Sequence, residues 1–273
     1  MPVTITAQER HVPAAAGAHL YVLDLAPEER TGATTAVVLS HGAGGCHINW
    51  HHQVAHFARD HRVIVWDQRG FGNSRDPRQA ASPHQAGQDL LAVLDACGVD
   101  RAWMVAQSMA GWGTSLAVRD RPDRFAGVIL CDTSAGVVTD DIAARLERFR
   151  NDSAASAATG AFYSSLAFDP TWIEQEPAGA AALHLWSRAL PATYTSAVAD
   201  LSATPIPTDH LAHLPVGLIV GERDPIFPPA ALREAFSHVA DLGIHEIPDA
   251  GHSPYLEKPE TFNALLGGLL PPP

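Results

Sequence analysis

Residues 102–111 read AWMVAQSMAG, and this stretch decides the fold. Its first five residues form an apolar run typical of a buried strand, and small residues after Ser108 open a helix. A serine on such a sharp turn needs small residues two positions away on either side, where the G-x-S-x-G pattern has glycine. Ala106 and Ala110 occupy those positions. The stretch alone therefore leaves two interpretations of Ser108, a nucleophile or an ordinary helix N-cap.

Short apolar runs of the same kind recur along the chain and predict buried strands. Stretches of helical period separate most of them, for example at 85–97 and 229–240. Alternating strands and helices predict an α/β fold, with a mostly parallel central sheet covered by helices on both faces. The predicted strands are 19–24, 36–40, 62–67, 102–106, 126–131, 216–220 and 244–247.

The alternation stops between residues 134 and 210, a region rich in Ala, Ser and Thr that carries scattered aromatic residues. An unstructured loop of this length is improbable in a compact domain, and the aromatic residues need burial. We therefore predict a helical cap at 134–210, inserted into an α/β core of residues 1–133 and 211–273. A disordered linker is the alternative. The aromatic residues are Phe149, Phe162, Tyr163, Phe168, Trp172, Trp186 and Tyr194.

Composition limits the partners of the protein. A chain of 273 residues with a net charge of −12 is suited to one domain and unsuited to binding phosphate backbones or anionic membranes. Its three widely spaced cysteines predict free thiols in a reducing compartment, and no apolar run is long enough to span a bilayer. We expect a cytoplasmic monomer or homodimer that acts on a small molecule without nucleic acid or membrane.

Four further segments carry residues suited to catalysis, each just after a predicted strand. They are SHGAGG at 40–45, DQRGFGNS at 67–74, GERD at 221–224 and DAGHSPYLEKPE at 249–260. Open parallel sheets form their ligand crevices at the carboxyl ends of the strands. The segments should therefore meet Ser108 at one edge of the sheet.

Together with AQSMAG, these segments resemble the α/β-hydrolase superfamily, and specifically its serine hydrolase branch, over essentially the whole chain. The order of serine, acid and histidine along the chain is also that of the superfamily. The resemblance implies that Ser108 attacks the substrate, that His252 transfers protons, and that Asp224 orients His252. It also implies an oxyanion hole made by the N–H groups of Met109 and Ala43.

Some of these assignments have competitors. Gly44 is the alternative to Ala43 in the oxyanion hole. Asp132 also follows a strand and competes with Asp224 as the acid, although GERDPIFP has the surrounding pattern and CDTS does not. Asp67 is predicted to be structural.

The resemblance implies covalent catalysis by serine, so we expect no cofactor and no metal. Histidines at roughly helical spacing suggest a metal site, but a solvated helix face is preferred because no pattern completes a coordination shell. Tryptophans are predicted to line the substrate pocket beside Met109. The four histidines are His47, His51, His52 and His56, and the pocket tryptophans are Trp50, Trp112, Trp172 and Trp186.

The chain is similar to small bacterial carboxylesterases, enol-lactone hydrolases and hydrolases that cleave C–C bonds of ring-cleavage products. An ester or lactone is the preferred substrate, and a C–C bond is the alternative. Two other classes stay open because fold does not fix function. One is a cofactor-free perhydrolase, oxygenase or cyclase, and the other is a binding module with a vestigial triad.

Overall fold

A computed structural model describes residues 3–159, 166–189, 201–239 and 242–272, which contain one eight-stranded sheet. The strand order is β1-β2-β4-β3-β5-β6-β7-β8, with β1 and β2 antiparallel and every pairing from β4 to β8 parallel. The strands are β1 (Ile5–Ala14), β2 (Ala18–Pro27), β3 (Thr35–Ser40), β4 (Val63–Trp66), β5 (Arg101–Gln107), β6 (Phe125–Cys131), β7 (Val216–Gly221) and β8 (Gly243–Ile247).

Helices connect the parallel strands and cover the sheet. The helices of the described residues are α1 (His51–Phe57), α2 (Pro83–Ala96), α3 (Ala110–Asp120), α4 (Asp140–Thr159), α5 (Pro170–Gln175), α6 (Pro177–Ala189), α7 (Pro229–Ala235), α8 (Pro254–Glu257) and α9 (Pro259–Leu269). The predicted fold class, a mostly parallel sheet with helices, is confirmed.

Alternating side chains of the central strands enter two cores, one on each face of the sheet. On β3, Val38 joins the core that α2 and α3 cover, whereas Val37 and Leu39 join the core that holds Phe262 of α9. A strand buried on both faces reads as a continuous apolar run, which explains why the sequence located these strands.

Two element predictions differ from the structure. Strand β1 was not predicted, because most of its residues are exposed at the edge of the sheet and the stretch ITAQERHVPA contains few apolar side chains. The helix predicted at 229–240 ends at Ala235. Beyond that point turn bonds replace the helical ladder, and the His238 Nε2 atom lies 2.9 Å from the Thr208 hydroxyl.

Between β6 and β7 the described residues form helices α4, α5 and α6 and no strand. Phe162, Tyr163 and Tyr194 lie outside the described residues. None of the helices in the described ranges has the length and apolar character that crossing a membrane requires. The predicted free thiols are present, since Cys46, Cys97 and Cys131 are unpaired and buried.

Candidate active site

Ser108 stands on a strained turn between β5 and α3. Its φ of 51° lies in the left-handed region, and its N–H donates to the Cys131 carbonyl at 2.9 Å. The N-cap of α3 is Met109, so the N-cap interpretation of Ser108 is wrong. Gly111, three residues after Ser108, must also be small, because an added Cβ would lie 2.3 Å from the Thr133 hydroxyl oxygen.

Ser108, His252 and Asp224 form one chain of hydrogen bonds. The Ser108 Oγ atom lies 2.9 Å from His252 Nε2, and His252 Nδ1 lies 2.8 Å from Asp224 Oδ2. All three side chains are buried, with Ser108 the most exposed at 8%. The other Asp224 oxygen accepts the N–H groups of Ile226 and Phe227, at 2.7 and 3.1 Å, which fixes the carboxylate. This arrangement can activate a serine by general-base catalysis.

Asp132, the competing acid, lies beside this chain of bonds. One ligating atom each from Asp132, Asp224 and His252 falls within 4.8 Å of the others. Only Asp224 makes the hydrogen bond to the imidazole, since Asp132 Oδ1 accepts from the Gly221 N–H at 2.8 Å. The geometry therefore favours Asp224 as the acid.

The predicted oxyanion donors belong to two adjoining turns. Ala43 is at the centre of a turn closed by a 3.1 Å bond from the Gly45 N–H to the Gly42 carbonyl, and Gly44 has a φ of 76°. No hydrogen bond from the Ala43 or Met109 N–H to another described residue is present. Both groups can therefore donate to a ligand.

Gly42 lets residues 40–45, which carry a predicted oxyanion donor and are called the oxyanion loop below, approach Ser108 closely. A Cβ at this position would lie 2.0 Å from Gln107 Oε1 and 2.9 Å from Ser108 Cβ. The amide nitrogen of Gln107 in turn donates to the His252 carbonyl at 3.0 Å. Gln107 therefore connects the oxyanion loop to the histidine loop, and sequence reasoning did not assign it a role.

Glu257 fixes the backbone on both sides of His252. Its buried carboxylate accepts the N–H groups of Gly251 at 2.7 Å and Ser253 at 3.2 Å, and that of Asp169 at 3.3 Å. Burial raises the pKa of Glu257, although these hydrogen bonds oppose the shift. Asp169 directly precedes α5, so one side chain joins the histidine loop to the inserted region.

Asp67 has the surroundings of a structural residue, as predicted. It is fully buried and accepts the N–H groups of His47 and Asn73, at 2.6 and 2.7 Å. Burial acts to raise its pKa, but the hydrogen bond from His47 and the nearby imidazoles leave it below the usual range. A Cβ on Gly72 would lie 2.2 Å from Asp67, so this turn requires glycine.

The helix-face interpretation of the histidines is wrong for His47. Its side chain is 13% exposed and its Nδ1 lies 2.9 Å from Asp67 Oδ1, whereas His51 and His56 are exposed. Cys46, His47 and Asp67 are close enough to hold a metal ion. They do not fit one, because the Asp67 carboxylate already accepts the backbone N–H groups of His47 and Asn73 and already contacts the His47 Nδ1 atom.

Two phenylalanine rings among the described residues lie close to the His252 ring. The rings of Phe227 and Phe149 lie 5.8 and 6.4 Å from the His252 ring, centroid to centroid. Sequence reasoning placed neither in the pocket, although Phe227 in GERDPIFP follows the acid by only three residues. Trp112 packs beside Phe227, with 6.2 Å between the two ring centroids. Its indole N–H donates to the Leu201 carbonyl.

The other pocket tryptophans are not placed at the triad. Trp50 is fully buried in the opposite core, with its ring 4.4 Å from that of Tyr255, so its prediction as a pocket residue is wrong. Trp172 belongs to the same core and stacks on Phe168 at 5.3 Å. Both assignments failed because a tryptophan fills a core as readily as a pocket. The side chain of Trp186 lies outside the described residues.

A small cleft adjoins Met109, the residue after the nucleophile. Its charged member, Arg69, is paired with Asp89 through two hydrogen bonds of 2.8 and 2.7 Å, which neutralise the charge of Arg69. The cleft therefore suits an uncharged group. It is lined by Gln68, Arg69, Phe71, Ala81, Ser82, Pro83, Ala86, Met109 and Leu201.

A mostly parallel sheet whose strand ends bring together a strained serine, a histidine and an aspartate defines a hydrolase of the α/β fold. The model of the alpha/beta hydrolase family matches residues 37–265, and the chain belongs to that family.

Among similar proteins is 3-oxoadipate enol-lactonase 2 of Acinetobacter baylyi, 28% identical over 232 residues, which are 84% of this chain and 85% of that protein. A thermophilic esterase from Thermogutta terrifontis superposes with a TM-score of 0.78 at 25% identity, covering 96% of this chain and 97% of that one. The enol-lactonase of Burkholderia xenovorans LB400 superposes with a TM-score of 0.77 at 24% identity, covering 96% and 99%.

Proposed function

We propose that the protein is a serine hydrolase that cleaves a carboxylic ester or lactone through an acyl-enzyme on Ser108. The observation that carries this proposal is the unbroken contact from Ser108 Oγ through His252 to Asp224, with distances of 2.9 and 2.8 Å. These are the distances at which a base can take the proton of a nucleophile and an acid can stabilise the resulting cation.

In the proposed reaction, Ser108 Oγ attacks the carbonyl carbon while His252 Nε2 takes the hydroxyl proton. The tetrahedral intermediate collapses when His252 returns that proton to the leaving oxygen, which leaves the acyl group on Ser108. His252 then deprotonates a water molecule, which attacks the acyl carbon. The bond from that carbon to Ser108 Oγ breaks as His252 returns the proton to Oγ, and the acid is released. Asp224 stays ionised and stabilises the imidazolium in both halves of the reaction.

The developing oxyanion is assigned to the N–H groups of Met109 and Ala43. Their lack of a hydrogen-bond acceptor among the described residues supports this role. One such donor is commonly worth about 3 kcal/mol of transition-state stabilisation, so the placement of the 42–45 turn should matter as much as many side chains.

We assign residues 134–210 to a cap over the site. Two contacts support it, since Phe149 of α4 faces His252 and the Leu201 carbonyl binds Trp112. The relatives named as an enol-lactonase and an esterase favour a small ester or lactone as substrate. A monomer or homodimer in the cytoplasm stays a prediction.

A substrate panel tests the proposal. Short-chain p-nitrophenyl esters, lactones and a ring-cleavage dienone should be compared, and we expect turnover of esters or lactones. The variant Ser108→Ala should lose about 10⁴- to 10⁶-fold in kcat. Hydrolysis of the dienone alone would overturn the substrate class.

Labelling with a fluorophosphonate separates the other classes. The wild type should be labelled once, at Ser108, because labelling requires an activated serine. Failure to label would favour a binding module, and turnover that survives Ser108→Ala would favour chemistry centred on His252.

A further inference from the structure

Asp132 is a buried acid that the proposed mechanism does not use. It follows β6 with a φ of 48°, in the left-handed region, and it is fully buried. Its Oδ1 accepts the Gly221 N–H, whereas no N–H or O–H group of the described residues donates to its Oδ2. A buried polar atom of this kind calls for a partner.

The available partner is the Asp224 carboxylate, which lies within the same 4.8 Å cluster. Two ionised carboxylates this close and this deep would repel each other strongly, and a single proton between them removes the repulsion. Asp224 accepts three N–H groups, from Ile226, Phe227 and His252, whereas Asp132 accepts only one. The proton therefore belongs on Asp132.

The other titratable groups around Asp132 do not supply a compensating charge. Burial, with the negative charges of Asp224 and Glu257, raises the pKa of Asp132 well above its ordinary value. Cys131 and Tyr255 are buried and neutral, because burial raises the pKa of each. His252 already pairs with Asp224.

We propose that Asp132 is a positioning residue, which donates a hydrogen bond from its Oδ2 to the Asp224 carboxylate and so holds Asp224 against His252. This inference rests on the proposed function, because it concerns the acid of the same triad. In effect the site contains two acids with different tasks: Asp224 orients the base, and Asp132 orients Asp224.

Two substitutions at Asp132 separate positioning from packing. In Asp132→Asn the amide can still donate to Asp224 and accept from Gly221, and asparagine tolerates a positive φ. We expect kcat for a p-nitrophenyl ester to stay within about threefold of wild type. In Asp132→Gly, which also suits the backbone, the donor is lost, and kcat should fall about 10- to 100-fold with KM little changed.

The pH profile provides a second readout that a packing role would not change. Without the hydrogen bond from Asp132, the full negative charge of Asp224 favours the protonated imidazole of His252. The acidic limb of the kcat/KM profile should therefore move to higher pH in Asp132→Gly. The limb should stay in place in Asp132→Asn. Equal kinetics and profiles in Asp132→Gly and the wild type would overturn the inference.

Infrared difference spectroscopy tests the proton without reference to activity. The spectrum of wild type minus Asp132→Asn at neutral pH should contain the C=O band of a protonated carboxylic acid, and its absence would overturn the inference. The proposed function fails on a different result, namely a wild type that neither turns over esters or lactones nor reacts with a fluorophosphonate. The two failures are therefore distinguishable.

Discussion

Single residues at the site are held in conformations that ordinary sequence rules disfavour. Ser108 and Asp132 both have φ values near 50°, which cost a non-glycine residue about 1 kcal/mol or more. Each stands at the carboxyl end of a buried strand, on β5 and β6, where the surrounding sheet fixes the backbone. The strain aims one side chain at His252 and the other at Asp224.

Gly42 offers a test of how closely the oxyanion loop must approach the nucleophile. Gly42→Ala would place a methyl group against Gln107 and Ser108, so one of them must move. We expect kcat/KM to fall about 100-fold, as misplacement by about 1 Å commonly does. Steady-state kinetics with a p-nitrophenyl ester measures the loss.

Gly268→Ala is the matched control, because nothing lies within 4 Å of the added Cβ and the residue is helical. Its activity should be unchanged, and its stability should rise by up to about 1 kcal/mol. Full activity in Gly42→Ala would show that the loop can relax and that the close contact is not required.

Asp132 also makes stability depend on pH. The pKa of Asp132 is raised in the folded protein, so folding takes up a proton at pH values above 3.8, the ordinary pKa of this group. The stability that protonated Asp132 contributes is therefore lost as pH rises. Asp132→Asn has no proton to lose. We expect the unfolding free energy of Asp132→Asn, measured by urea denaturation, to increase relative to that of the wild type as pH rises from about 5 to about 9. A constant difference across that range would contradict the expected proton uptake.

At the scale of elements, Arg62 joins several segments at the end of the sheet opposite to the site. Its guanidinium binds Asp24 of β2 through bonds of 2.9 and 2.6 Å, and it also donates to the Cys97 and Ala33 carbonyls. Asp24 is 7% exposed, and without Arg62 it keeps only Arg10, which lies 3.7 Å away and is 29% exposed, so removing Arg62 leaves a poorly compensated buried charge. Arg62→Met should therefore cost about 3 kcal/mol in unfolding free energy.

The double variant Asp24→Leu with Arg62→Met should recover part of that loss, because the buried carboxylate is removed and Arg10, which is 29% exposed, can be solvated. Arg121→Met is the control, since its pair with Asp123 is fully exposed, and we expect no change in the denaturation midpoint. If the double variant is no more stable than Arg62→Met, lost packing and not the charge of Asp24 accounts for most of the loss in unfolding free energy.

Prediction of the strands succeeded where burial leaves an apolar pattern in the sequence. It failed where pairing with another segment determines the structure. The apolar runs of β3 to β7 have both faces buried, so composition was enough. Strand β1 is specified by its pairing with β2, from Ile5 with Pro27 to Ala14 with Ala18, rather than by its own apolar content.

The site was predictable to the same extent. Motifs located Ser108, Asp224 and His252, but not their supports. Gln107 contacts His252 from 145 positions away, which no local spacing encodes. Glu257 is only 5 positions from His252, but it acts by accepting backbone N–H groups, which leave no mark in the sequence. Phe149 lies in the region whose sequence was least informative, and its ring lies near that of His252 through the placement of α4, which no local motif encodes.

At the scale of the whole molecule, the net charge of −12 should influence which substrates arrive. A negative protein repels anions over about a Debye length, roughly 8 Å at physiological salt. For an ester carrying a carboxylate, kcat/KM should therefore rise a few-fold with added salt, while a neutral ester of similar size shows no change. A decrease with salt for the anionic ester would reveal a cationic site entrance.

The Glu257 carboxylate binds backbone N–H groups on both sides of His252 and one at the start of α5. Glu257 thus ties the histidine loop to the start of the inserted region, beside the pair of Arg223 with Asp169 and the contact of Phe149 with His252. With the insertion as the proposed cap, loosening it should disturb the imidazole as well, so an open site would also be a less active one. Such coupling would protect bound acyl groups from untimely attack by water, because exposure and competence could not coincide.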